Sequence, residues 1–229
     1  MSSHGEQKKL YVWELPVRIF HWVLALSIVT LLFTGYFIYN PFVHAPGIVA
    51  NEYFLMGTAR FIHLIAAYVF ISSLLLRLYW FYAGNEHAKF RFWEKKFWVG
   101  MLDTILYYLF IKKEEPHFTG HNPLAMMSYL VFIWLGSFLM ILTGLSLHSE
   151  IYTTGILYSL TSWFQSLMGN SVNVRVMHHM LAWVFVVFIV THLYMSFRHD
   201  FLAKNGTISS IITGYKSEPI EEQKDKRTL

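Results

Sequence analysis

Twelve histidines and no cysteine set the chemistry open to this chain of 229 residues. Without thiols, disulfides, iron–sulfur ligation, thiolate zinc sites and cysteine nucleophiles are excluded. Metal chemistry then falls to imidazoles. His21, His63, His178 and His192, with His179 beside the third, stand inside long apolar stretches. An ionisable side chain at membrane depth is costly and is a functional candidate, the plainer alternative being a hydrogen bond to a neighbouring helix. His178 and His192 are 14 residues apart. On a helix that separates them by about 21 Å along the axis and returns them to within about 40° of one face. His179 would point about 140° away from His192, so His178 is the better ligand and His179 takes the structural role.

The elements that hold these residues follow from composition. Only 14% of residues are charged and 55% are hydrophobic, with 18% aromatic residues and ten methionines; a soluble domain carries roughly 25% charged residues. A typical soluble fold and a disordered chain are both excluded. Four windows approach the roughly 20 apolar residues that a spanning helix needs: residues 19–39, 61–82, 124–147 and 176–197. Arg77 lies near one end of the second, where a long side chain snorkels to the interface. The first is not read as a cleaved signal peptide, being too long, interrupted by His21 and Trp22 and lacking a small-residue cleavage site.

Sixteen of the 18 lysines and arginines fall before span one, between spans two and three, or after span four, against Arg60 and Arg175 on the other side. Positive charge stays inside, so both termini are expected in the cytoplasm of a bacterial inner membrane. The formal charge of +4 gives no support to nucleic-acid binding; the expected surroundings are membrane lipid. Residues 92–111 mix tryptophan and phenylalanine with lysine, which suits an interfacial helix. The outer connection 148–173 is apolar and aromatic, suited to the outer surface or to a partner. The expected fold is an all-α integral membrane protein: a bundle of four transmembrane helices with an interfacial helix between spans two and three. Residues 1–215 form the membrane domain and 216–229 a charged, loose cytoplasmic tail.

Span one runs outward, spans two and four inward. Depth therefore pairs His63 with His178 toward the outside and His21 with His192 toward the cytoplasm. Two imidazoles alone leave zinc short of ligands, whereas haem needs only two axial ligands and has an apolar edge that suits a bundle core. Two haems are expected, and without Cys-x-x-Cys-His both are non-covalent, b-type groups. Arg18, Arg60 and Arg175 each stand three residues before a ligand, hence on the same helix face. Each could clamp haem propionates with a bidentate guanidinium, the alternative being an ordinary helix-end anchor. His192 has no such partner; Arg77, at the inner end of span two, is a substitute.

The stretches Arg18-Ile-Phe-His21-Trp22 through Thr34-Gly35 and Arg175-Val-Met-His178-His179 through Trp183 to His192 resemble the two signature motifs of the b-type cytochrome subunits of membrane-bound nickel–iron hydrogenases. Arg60-Phe-Ile-His63, Gly120-His121-Asn122-Pro123 and Tyr194-Met-Ser-Phe-Arg198 extend the resemblance over nearly the whole chain. It departs at Val176 and His179, neither a proposed ligand. The resemblance implies a membrane subunit that takes electrons from an outward-facing dimer of hydrogenase small and large subunits and passes them across the bilayer to a quinone.

His121 and Asn122, opening span three on the cytoplasmic side, could hydrogen-bond quinone carbonyls and relay a proton, or simply cap the helix. Gly35 and Gly144, each after a threonine, would let the outer macrocycle approach the backbone, or serve close helix packing. No internal repeat, phosphate loop or His-Glu-x-x-His pair is present. Two other classes share these features: the cytochrome b subunit of another respiratory complex, of the formate dehydrogenase or thiosulfate reductase type, and a small transporter or channel whose histidines bind an ion.

Overall fold

The computed structural model describes residues 7–42, 54–83, 95–113, 123–151 and 153–219. Strand β1 (Gln7–Tyr11) leads into α1 (Leu15–Tyr39), and α2 (Leu55–Ala83) follows. Next come α3 (Lys95–Tyr108), α4 (Pro123–Ser128), a π-helical segment (Tyr129–Leu135) and α5 (Gly136–Ser149). Helix α6 (Ile156–Met168), α7 (Ser171–Ala203), α8 (Thr207–Thr213) and β2 (Tyr215–Pro219) complete the chain.

Four helical stretches are long and apolar enough to cross a membrane: Leu15–Tyr39, Leu55–Ala83, Pro123–Ser149 and Ser171–Ala203. These are the four expected spans, each longer than its apolar window. An apolar window counts only hydrocarbon-depth residues, and the helix itself continues into the polar interface. At the start of α7, for example, the side-chain oxygen of Asn170 accepts the Asn173 backbone N–H at 2.9 Å, satisfying one of the donors that a helix start leaves open. Pro16 opens α1 in the same spirit, since its missing N–H would have had no helical partner. Large apolar side chains face outward along the spans, Phe33 at 74% exposure among them, as lipid-facing surface requires.

The chain divides into two compact units. The first comprises Met1–Lys89 and Ser196–Leu229, the second Phe90–Met195. In the first, α1 and α2 pack as an antiparallel hairpin around Ala59, Ala66, Phe70 and Leu74 of α2. Its register is fixed near one end by the Trp80 indole donating to Glu14 Oε2 at 2.9 Å and near the other by Thr34 Oγ1 at 2.9 Å from His63 Nδ1. Strands β1 and β2 pair antiparallel, Gln7 opposite Pro219 and Tyr11 opposite Tyr215. Gly214 closes this clasp: its φ of +89° suits glycine, a Cβ would lie 2.6 Å from the Tyr11 ring, and its carbonyl accepts the Val12 N–H at 2.9 Å. The tail expected to be loose from residue 216 thus begins as an ordered strand, because the backbone of β1 offers it a ladder.

In the second unit, α5 presents a buried row of small residues, Ser137, Thr143, Ser146 and Ser149, which lets neighbouring helices approach closely. Helix α6 folds back on α5, with Thr161 Oγ1 3.0 Å from Ser149 Oγ and Gln165 donating to Glu150 at 3.0 Å. The outer connection is therefore mostly a packed helix, leaving Ile156, Leu160, Trp163 and Leu167 as an exposed apolar stripe. Helix α3 lies within the segment expected to be interfacial.

Candidate functional site

Each predicted outer ligand sits against a Thr-Gly pair on the helix beside it. In the first unit, Thr34 and Gly35 of α1 face His63 of α2. Thr34 Oγ1 lies 2.9 Å from His63 Nδ1 and is itself 2.7 Å from the Thr30 carbonyl. The hydroxyl proton is used on that carbonyl, so the threonine oxygen accepts from Nδ1–H. In the second unit, Thr143 Oγ1 lies 2.8 Å from His178 Nδ1 and 2.9 Å from the Leu139 carbonyl, with the same consequence. Both imidazoles are thereby set in the tautomer whose lone pair is on Nε2, the arrangement that orients a metal-ligating histidine.

The glycines complete the seat. A Cβ on Gly35 would stand 3.3 Å from His63 Cε1, and one on Gly144 3.3 Å from His178 Cε1. Their bareness leaves room for the imidazole ring, a close approach of helix to side chain such as the packing alternative expects. Among the described residues, no group of three or more histidines and carboxylates could hold a bare metal ion. A donor set of tautomer-fixed single imidazoles in an apolar surround fits haem, which brings four ligands of its own.

The predicted inner ligands are held differently. His192 stacks on Phe188, centroids 5.6 Å apart and planes 15° apart, and meets Tyr129 edge-on at 6.0 Å. Phe188 is in turn stacked with Phe132 at 5.4 Å. Tyr129 and Phe132 both belong to the π-helical segment, whose wider turn brings this pair of rings to α7. His21 lies edge-on to Trp22 at 5.3 Å. His179 accepts the Trp183 indole N–H on its Nε2 at 3.2 Å.

The arginines differ among themselves. Arg18 donates Nη1 to the Ile212 carbonyl, and Arg60 is exposed. Arg175 is ion-paired through Nη2 to Glu150 Oε2 at 2.8 Å, a partner the Arg-x-x-His pattern did not reveal. His21 and His63 lie toward opposite ends of the α1–α2 hairpin, and His178 and His192 toward opposite ends of α7. His121 and Asn122 lie outside the described residues. The sequence reading missed Thr34, Thr143, Tyr129 and Glu150. For the threonines a signal existed, the repeated Thr-Gly dipeptide, but only its glycines drew a reading.

A family model described as prokaryotic cytochrome b561 matches residues 12–214. The chain is similar to a probable Ni/Fe-hydrogenase B-type cytochrome subunit of Rhizobium leguminosarum bv. viciae, 38% identical over 222 residues, which cover 93% of this chain and 92% of the relative. A protein so described in Cupriavidus necator is 37% identical, covering 95% and 91%. A probable Ni/Fe-hydrogenase 1 B-type cytochrome subunit of Escherichia coli K12 is 36% identical, covering 90% of each.

Proposed function

The chain belongs to the prokaryotic cytochrome b561 family as a haem-binding, hydrogenase-associated b-type cytochrome subunit; from that premise we propose that it carries electrons from a nickel–iron hydrogenase on the outer face of the bacterial inner membrane to quinone on the cytoplasmic side. The reading includes two b-type haems, an outer one on His63 and His178 and an inner one on His21 and His192. The pairing rests on depth along the spans. The hydrogenase small and large subunits are the proposed partners, both termini are cytoplasmic, residues 1–215 form the di-haem domain, and His121 with Asn122 is the proposed quinone contact.

When bound, haem supplies a one-electron ferric/ferrous couple. The protein's own contribution is positional. His63 and His178 present Nε2 lone pairs because Thr34 and Thr143 hold their Nδ1 protons. Phe188 and Tyr129 fix the plane of the His192 ring. Arg60 and Arg175 are the proposed outer propionate contacts, Arg18 an inner one, and the apolar helices exclude water between the two levels.

The observation that carries this reading is the repeated Thr-Gly seat, built independently in both units around the two histidines expected at one depth. The test is an absorption and redox titration of the full chain purified with its hydrogenase partner. Two resolved bis-histidine haems reduced by hydrogen and reoxidised by added quinone are expected. A protein without a Soret band, or one whose haem is unreactive to both, would overturn it. Reporter fusions after Tyr82 and Arg198 should read cytoplasmic and one near Thr154 external; an external C-terminus would invert the outer and inner assignments.

A further inference from the structure

In the first unit, three buried polar atoms on facing helix stripes find no hydrogen-bond partner among the described residues: Arg18 Nε, Arg77 Nη1 and Ser73 Oγ. Glu14, Arg18 and His21 follow one another at spacings of four and three on α1, so they share a face. Trp80, Arg77 and Ser73 do the same on α2, at spacings of three and four running back from the helix end. The bond from the Trp80 indole to Glu14 Oε2, 2.9 Å long, and the edge contact of Phe20 with Trp80 at 6.4 Å bring these two faces together. Arg18 then lies one turn above Glu14, and Arg77 one turn above Trp80, at the same level of an antiparallel hairpin.

Two guanidinium groups brought to one level at the edge of the apolar belt are costly unless an anion joins them. The local carboxylate, Glu14, is turned to Trp80. Neither arginine is ion-paired among the described residues, the Glu14 carboxylate accepts the indole, and the carbonyl of Ile212 takes only Arg18 Nη1. Arg77 begins the last two turns of α2, so it is too deep to be treated as a helix-end anchor alone.

We propose that Arg18, Arg77 and Ser73 form one cradle for a pair of carboxylates, the propionates of the inner haem. This rests on the di-haem reading. The Ser73 hydroxyl, on the same face one turn deeper than Arg77, donates the third hydrogen bond. A dianion balances the two guanidinium charges, and planar guanidinium forks suit carboxylates better than ammonium does.

The test uses the full-length chain, depleted of haem and held in lipid nanodiscs, titrated with protohaem and with its dimethyl ester, which lacks the propionate charges. Uptake is read from the Soret band, and the two sites are resolved by their potentials. Wild type should prefer protohaem at the inner site. Arg77→Gln should lose about tenfold of that preference, as expected for loss of a charge-assisted hydrogen bond, and should lower the inner haem's potential while leaving the outer one in place. Arg77→Lys should fall between the two, and it carries the test should the glutamine variant misfold. Equal preference in all three proteins overturns the cradle while leaving the di-haem reading intact. A dependence on phosphatidylglycerol in the nanodisc that Arg77→Gln abolishes, with haem preference unchanged, also overturns it and makes the ligand a lipid phosphate. A wild-type chain that takes up no second haem overturns both.

Discussion

The two ends of α7 hold their histidines by different physics. Toward the outer end, His178 is gripped by a directional bond from a regular helix, its Nδ1 proton accepted by Thr143 at 2.8 Å and its Cε1 edge facing the bare Cα of Gly144. Toward the inner end, His192 is sandwiched by shape, stacked on Phe188 and bordered by Tyr129 of a π-helical segment. A hydrogen bond fixes both tautomer and angle and makes the imidazole a stronger electron donor. A ring stack fixes the plane of the imidazole. On the di-haem reading proposed above, the Thr143 bond favours the ferric state of a haem held by His178.

The largest effect that probes the contrast is removal of the ligands themselves. His63→Ala or His178→Ala should delete the outer haem and leave part of the inner one, and His21→Ala or His192→Ala should do the reverse, as read by absorption spectra of the purified chain. Should His179→Ala cost a haem while His178→Ala does not, the helical-face assignment is wrong.

Next in size is loss of the hydroxyl acceptor. Thr143→Val keeps the shape but leaves a buried Nδ1–H without its acceptor, a cost of about 1–3 kcal/mol in thermal stability. With a less basic imidazole the outer potential should rise, while Thr143→Ser retains it; an inner potential that moves equally would erase the distinction between the two ends. Gly144→Ala should forfeit the roughly 1 kcal/mol that alanine gains over glycine inside a helix, because its Cβ would sit 3.3 Å from His178 Cε1 and push the ring by a few tenths of an ångström. Gly35→Ala should match it at His63, a parity measurable by thermal loss of the Soret band.

The smallest shifts belong to the outer arginines. Arg60→Gln should lower the outer potential, since a cation stabilises the more negative, reduced macrocycle. Arg175→Gln should lower it less, because Glu150 already balances that charge at 2.8 Å, and lysine at either position should shift it less than glutamine. A redox titration that finds both arginines silent would make them plain interfacial anchors.

Much of this was legible in the chain. Four apolar windows gave four helices, and His179, which the angular arithmetic turned away from His192, accepts the Trp183 indole on its Nε2. The seats were not legible for a physical reason. Thr34 and His63 are 29 residues apart and Thr143 and His178 are 35 apart; the helices carry several other hydroxyls, and the repeated Thr-Gly dipeptide does not say which distant side chain it meets. The π-helical Tyr-Leu-Val-Phe-Ile-Trp-Leu is apolar throughout, so it carries no amphipathic pattern from which a wider turn could be read. Glu150 stood in a loop window and its pairing depended on how α6 folded back.

The clasp of β1 and β2 also sets an order of assembly. Trp13 donates to Ser210 Oγ across 197 residues of sequence, so this closure cannot begin until all four spans have left the ribosome, whereas the α1–α2 hairpin can pair as soon as α2 emerges. The Thr34–His63 seat belongs to that early hairpin. Arg18 is held by the carbonyl of Ile212, in the segment synthesised last. During biogenesis the Thr34–His63 end of the first unit is therefore finished before its Arg18 end, and a chain stalled or trimmed short of β2 would be arrested with one end mature and the other still open.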